Sequence, residues 1–306
     1  MHPAYSVIVF TAASGAGCGL LALVGAMAVF GGLDGAGGFG ATGTALALVL
    51  IGGGLLSSAQ HLGRPERMLL ALTQWRSSWL SREGIVALAT FLPGGILFLA
   101  CALGWDDVIV AIAGGLAALL ALATIGCTAM IYASLKPIRQ WRSPLVSAAY
   151  FLLALMTGSL LLLLLARAFG DGGLEFEWLA LGTTVAALAV KLRYWRFVDA
   201  APATSDLGTA TGLGRFGKVT LLEPPHTEEN FVMREMGYQI ARSHSFRLRR
   251  ISMILLFAAP IVLTFLGGII PAALAVIAAA MGVLVERWLF FAEASHTSVL
   301  YYGQSA

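Results

Sequence analysis

The chain has 306 residues, 58% of them hydrophobic and only 11% charged, with a formal net charge of +3 and a mean hydropathy of +0.85. A soluble domain must carry a largely polar surface, so this composition excludes one and points to a polytopic membrane protein. The basic excess is small and, as placed below, orients the chain against lipid; no nucleic-acid partner is expected.

A spanning helix needs about 20 mostly apolar residues to cross about 30 Å of hydrocarbon. Eight segments meet that need, roughly 5–31, 41–60, 83–103, 108–134, 144–167, 177–197, 251–267 and 270–292. The expected fold class is all-α, a polytopic membrane helix bundle of eight transmembrane helices. It forms a single integral membrane domain over 1–306, with one long hydrophilic loop at 198–250. The start, MHPAYSVIVF, has no basic n-region, so the first helix is expected to be retained rather than cleaved. Cys18, Cys101 and Cys127 lie inside apolar segments without CxxC or Cys/His spacing. They read as small buried residues, and no metal site is expected from them.

The loops at 32–40, 104–107, 168–176 and 268–269 hold Asp34, Asp106, Asp107, Asp171 and Glu175 but no Lys or Arg. The loops at 61–82, 135–143 and 198–250, with the helix ends they touch, hold every Lys and Arg except Arg167 and Arg287. Lys191, Arg193 and Arg196 are among them. The positive-inside rule makes the basic side cytoplasmic, with both termini on that side of the cytoplasmic (inner) membrane. Trp75, Trp79, Trp105, Trp141, Trp178, Trp195 and Trp288 fall near span ends, as an interfacial belt would.

Between the second and third spans stands HLGRPERMLLALTQWRSSWLSREG, residues 61–84. Pro65 suits the first turn of a short helix that Met68, Leu69, Leu72 and Trp75 would lay in the interface. His61 ends one span and Glu83 opens the next, at one depth. They read either as wet helix ends or as a pocket where an imidazole and a carboxyl converge beneath the headgroups. Quinone chemistry needs the second arrangement, because two-electron reduction takes two protons from groups able to titrate. Arg64 and Arg82 are placed to stabilise an oxyanion there, with Trp79 beside them.

Other motifs carry less. GLGRFGK at 212–218 satisfies G-x-G-x-x-G, but no strand precedes it, so it reads as a glycine-rich turn shaping a docking loop rather than a nucleotide site. EPPHTEEN at 223–230 reads as a rigid exposed turn in preference to a metal site. Glu286 and Glu293 lie seven apart on nearly one helical face, either as proton-relay groups or as snorkelling ends. The histidines sit at helix ends or in the long loop, and no haem is expected, although His61 with His296 stays open as a ligand pair.

HLGRPERM…SSWLSRE, KLRYWRF, TGLGRFGKVTLLEPPHTEENF, MREMGYQIAR and ERWLFFAEASHTSVLYYG together resemble the membrane anchor family of dimethyl sulfoxide reductases. The resemblance implies an eight-helix anchor that exchanges electrons with a membrane quinone, ubiquinone or menaquinone. It also implies an iron–sulfur electron-transfer subunit and a molybdopterin catalytic subunit as partners, and a quinone site that His61 and Glu83 match. The basic face lies inside, so the chain is more similar to the branch anchoring cytoplasm-facing, quinone-linked sulfite dehydrogenases than to the type reductase, which oxidises quinol. A transporter is the competing class; it calls for charged or broken helices near the midplane, where this sequence reads as apolar.

Overall fold

The computed structural model describes residues 4–33, 38–60, 64, 68–170, 173–200, 205–223 and 240–302. Among them the long elements are all helical: α1 (Tyr5–Val29), α2 (Gly38–Ala59), α4 (Trp79–Leu103), α5 (Asp107–Ala133), α6 (Pro144–Phe169) and α7 (Leu174–Ala200). Two helices are short: α3 (Met68–Leu72), between α2 and α4, and α8 (Leu207–Thr211), after α7. Then α9 (Ile240–Met253) runs through a π-helical turn, Ile254–Ala258, into α10 (Ala259–Leu266), and α11 (Ile269–Ala292) follows. The chain is a multi-pass membrane protein. Seven of its described helices are long and apolar enough to cross a bilayer: α1, α2, α4, α5, α6, His244–Leu266 and α11. α7 is as long as α5 but carries Glu175, Glu177, Lys191, Arg193 and Arg196.

Local chemistry sets the helix ends. Ser78 caps α4 by accepting from the Ser81 N–H at 3.4 Å, and Asp106 caps α5 by accepting from Val108 at 2.8 Å. Pro144 occupies the first turn of α6, where its missing N–H costs nothing. Gly104 and Gly170 end α4 and α6 in the left-handed region, at φ 66° and 84°.

α1 is the central helix, packed against α2, α5, α6 and α11. Lipid tails are as apolar as leucine, so helices in a membrane associate through close packing of small residues. Gly19 of α1 abuts Ala154 and Gly158 of α6 backbone to backbone, and Gly25 meets Gly114 of α5 in the same way. A methyl group at Gly19 would overlap the Ala154 carbonyl oxygen.

At the basic end the C-terminal segment folds onto the α5–α6 loop. The Trp141 indole N–H donates to the Phe290 carbonyl at 3.0 Å, Gln140 bonds Ser295 at 2.9 Å, and Thr297 N–H donates to Pro137 at 3.1 Å. Trp141 and Trp195 are therefore core residues, 2% and 6% exposed, and not part of an interfacial belt. Trp75, Trp105 and Trp178 are exposed, as a belt requires.

Candidate functional site

α4 starts earlier than its apolar pattern suggests, at Trp79, so Glu83 falls in the second turn instead of at the opening. The turn after α3 is bound down on this helix start. Ser81 Oγ donates to the Ala71 carbonyl, and Arg82 donates to the Trp75 and Arg76 carbonyls at 2.8 Å each. The Arg82 guanidinium also lies 4.3 Å from the centre of the half-buried Trp79 ring. Glu83 turns the other way, into the bundle. It is 2% exposed and accepts a hydrogen bond from Thr128 Oγ1 of α5. That hydroxyl is also 3.0 Å from the Thr124 carbonyl oxygen.

The helix start thus gathers Trp79, Arg82 and Glu83, with Arg82 on the outside and the carboxyl inside. Arg64 is exposed. His61 lies outside the described residues. Glu83 is not a wet helix end: a buried carboxyl is costly unless it is bonded or has a use, and Thr128 meets only part of its demand.

A second polar centre was not expected. Lys191 of α7, read above as part of the basic face, is 1% exposed and ion-paired with Glu286 of α11. Arg287 is 3% exposed, with its Nε 2.8 Å from the other Glu286 oxygen. Aromatic rings line this cluster: Lys191 Nζ lies 4.4 Å from the Tyr194 centroid, and the Arg287 guanidinium 4.1 Å over Tyr150. The reading of Lys191 as part of an exposed basic face is corrected here. Glu286 is neither a snorkelling end nor exposed; it neutralises one of two buried cations. Nearer the helix ends, Arg249 bridges Asp199 at 2.8 Å and Glu293 at 2.7 Å. The sequence carried a signal for the cluster, since opposite charges inside apolar helices usually face one another. It carried none for Thr128, because threonine in a helix ordinarily bonds its own backbone.

Around a cavity bounded by α1, α5, α6 and α11 stand Thr11, Ser14, Thr128, Thr157, Tyr150 and Arg287, so it reaches from the Glu83 partner to the ion cluster. Elsewhere, Gly212 and Gly217 have φ of 71° and 141° and shape a turn around a short 3-10 helix, with α8 before it and no strand. The Thr209 backbone N–H holds the Asp206 carboxyl below the usual carboxylate range. Most of EPPHTEEN lies outside the described residues. Among the described residues no group of three or more His, Cys, Asp or Glu side chains is arranged to hold a metal ion.

The architecture is that of a multi-pass membrane protein, a helical bundle with polar groups gathered in the helix packing. The model of the family described as DMSO reductase anchor subunit (DmsC) matches residues 1–214, and the chain belongs to that family, whose members are anchor subunits of oxidoreductase complexes. A relative at full length is a sulfite dehydrogenase subunit of Allochromatium vinosum, 35% identical over 330 aligned positions that cover 100% of both chains.

Proposed function

We propose that this chain is the quinone-reactive anchor of a molybdenum and iron–sulfur oxidoreductase that oxidises sulfite. An iron–sulfur subunit docked on the basic face receives electrons from a molybdopterin subunit and passes them to quinone, the exchangeable substrate of this chain. The full-length likeness to a protein named for sulfite supports that direction of flow. The family description favours a second reading, in which the same anchor oxidises quinol for an S-oxide or N-oxide reductase.

In this reading the chain crosses the cytoplasmic membrane eight times, with both termini inside. α7 is the eighth span. Its 27 residues extend about 40 Å, and Lys191, one of the charges that lower its hydropathy, is buried and paired.

The observation that carries the proposal is the buried Glu83 carboxyl, held by Thr128 at the basic end of the bundle. A quinone that accepts two electrons must also take up two protons, and Glu83 is the carboxyl positioned to exchange them. His61 holds a quinone carbonyl. Arg82 spends two of its five N–H groups on the Trp75 and Arg76 carbonyls and keeps the rest, with Arg64 and Trp79, at the mouth.

The test is Glu83→Gln in the assembled complex. Quinone-linked sulfite oxidation is expected to fall about 100-fold, the low end of what a positioned proton donor contributes. Assembly and sulfite oxidation with an artificial dye, which bypasses this chain, are expected to persist. Unchanged quinone turnover would remove Glu83 from the mechanism.

A further inference from the structure

Two buried polar atoms in the cavity between α1, α5, α6 and α11, Tyr150 Oη and Arg287 Nη1, make no hydrogen bond of good geometry among the described residues, although the two side chains lie beside each other. Tyr150 is 6% exposed and Arg287 3%. Buried donors are rarely left unmet, and where they are, a water is the usual partner. The cavity leaves about 20 Å³ for the centre of a water, above the roughly 10–15 Å³ that one water requires. It is far too small for a quinone ring.

The remaining wall groups fix how such a water bonds. Thr11, Ser14, Thr124 and Thr157 each give their hydroxyl hydrogen to a carbonyl of their own helix, at 3.0, 2.6, 2.9 and 2.8 Å. They offer only lone pairs to the cavity. Arg287 offers only donors. Thr128 differs from the others because its oxygen lies between two acceptors, the Glu83 carboxylate and the Thr124 carbonyl.

We propose that this cavity is a buried water site that links Arg287 and Tyr150 to Glu83 through the Thr128 hydroxyl. The inference rests on the quinone reading of Glu83 given above. The donors run one way: Arg287 N–H to water, water to Thr128 Oγ1, Thr128 O–H to the Glu83 carboxylate. Each bond polarises the next. When Glu83 takes a proton, its own O–H donates to Thr128 Oγ1, and the Thr128 hydrogen turns to the Thr124 carbonyl. The one covalent bond formed is the Glu83 O–H, everything else is a change of hydrogen bonds, and the single proton that arrives stays on Glu83 until it leaves. Thr128, Tyr150 and Arg287 are therefore positioning residues, and Thr128 reads the protonation state of Glu83.

Three measurements on the assembled complex test this. A map at a resolution that shows ordered water is expected to place one between Arg287 Nη1, Tyr150 Oη and Thr128 Oγ1. Thr128→Val, which keeps the shape and removes the hydroxyl, is expected to slow quinone turnover about tenfold, the size of one charge-assisted bond, and Thr128→Ser to restore it. In redox-difference infrared spectra, a carboxyl C=O band that vanishes in Glu83→Gln is expected to shift in Thr128→Val and in Tyr150→Phe, and to return in Thr128→Ser. A dry cavity, or a band indifferent to Thr128→Val and Tyr150→Phe, overturns the link. If Glu83→Gln turns over quinone normally, the quinone reading falls instead, and the water site stands or falls on the map alone.

Discussion

Lys191 of α7 and Glu286 of α11 form an ion pair inside the bundle, and Arg287 lies against the second oxygen of the same carboxylate. One anion therefore serves two cations, which makes the cluster asymmetric. Glu286→Gln strands both cations and is expected to destabilise by about 3–5 kcal/mol, the cost of uncompensated buried charge. Lys191→Met leaves Glu286 with Arg287 and is expected to cost less, about 1–3 kcal/mol. Thermal unfolding of the purified complex and the amount of chain in membranes measure the order. Equal losses, or the reverse order, would show that Arg287 does not share the carboxylate.

The α1–α6 seam gives a prediction of a different kind. Gly19 and Gly158 face each other backbone to backbone, so no flexible side chain can yield. Gly19→Ala is expected to cost more than the about 1–3 kcal/mol of ordinary overpacking. Gly95→Ala, where a methyl group meets nothing within 4 Å, is expected to be silent. Membrane levels of the two variants decide it. Equal accumulation of both would mean that the helices are free to separate at this seam.

These contrasts show what a sequence of this type discloses. Hydropathy placed seven of the eight expected spans on helices apolar enough to cross, because crossing hydrocarbon leaves a run of about 20 residues that needs no tertiary context; α7 is a helix but not such a run. It placed α4 late because Trp79, Ser81 and Arg82 are polar or amphipathic yet already helical, under the Ser78 cap. Glu83 was legible as a candidate but not as a buried group, since burial depends on α5 bringing Thr128 alongside. Lys191 was misread as a surface charge for the same reason: its partner is 95 residues away in sequence. Trp141 and Trp195 looked like belt residues because span ends and core coincide where the C-terminal segment folds back over the bundle.

Orientation is testable with introduced cysteines. The native Cys18 and Cys101 are buried and Cys127 is half-buried, so the background toward a membrane-impermeant maleimide is expected to be low. Leu222 is 98% exposed on the basic side, and Trp105 39% exposed on the acidic side. In intact cells Trp105→Cys is expected to label and Leu222→Cys to label only after lysis. The opposite pattern would turn the basic face outward and favour the reductase reading over sulfite oxidation.

The C-terminal turn should respond to acid. His296 Nδ1 accepts from the Ser298 backbone N–H at 3.1 Å, opening the 3-10 segment Thr297–Tyr302 that packs near α8. Partial burial lowers the His296 pKa below its ordinary 6.5. The folded state thus prefers neutral imidazole. The stability it confers is complete above the unfolded value of 6.5 and is lost as pH falls from there through the lower folded value. Protonation also puts a hydrogen on Nδ1 and removes the acceptor for Ser298. Amide exchange at Thr297 and Ser298, corrected for intrinsic rates, is expected to be faster at about pH 5 than at about pH 8. In His296→Gln the difference should vanish; if it persists there, some other group loosens the turn.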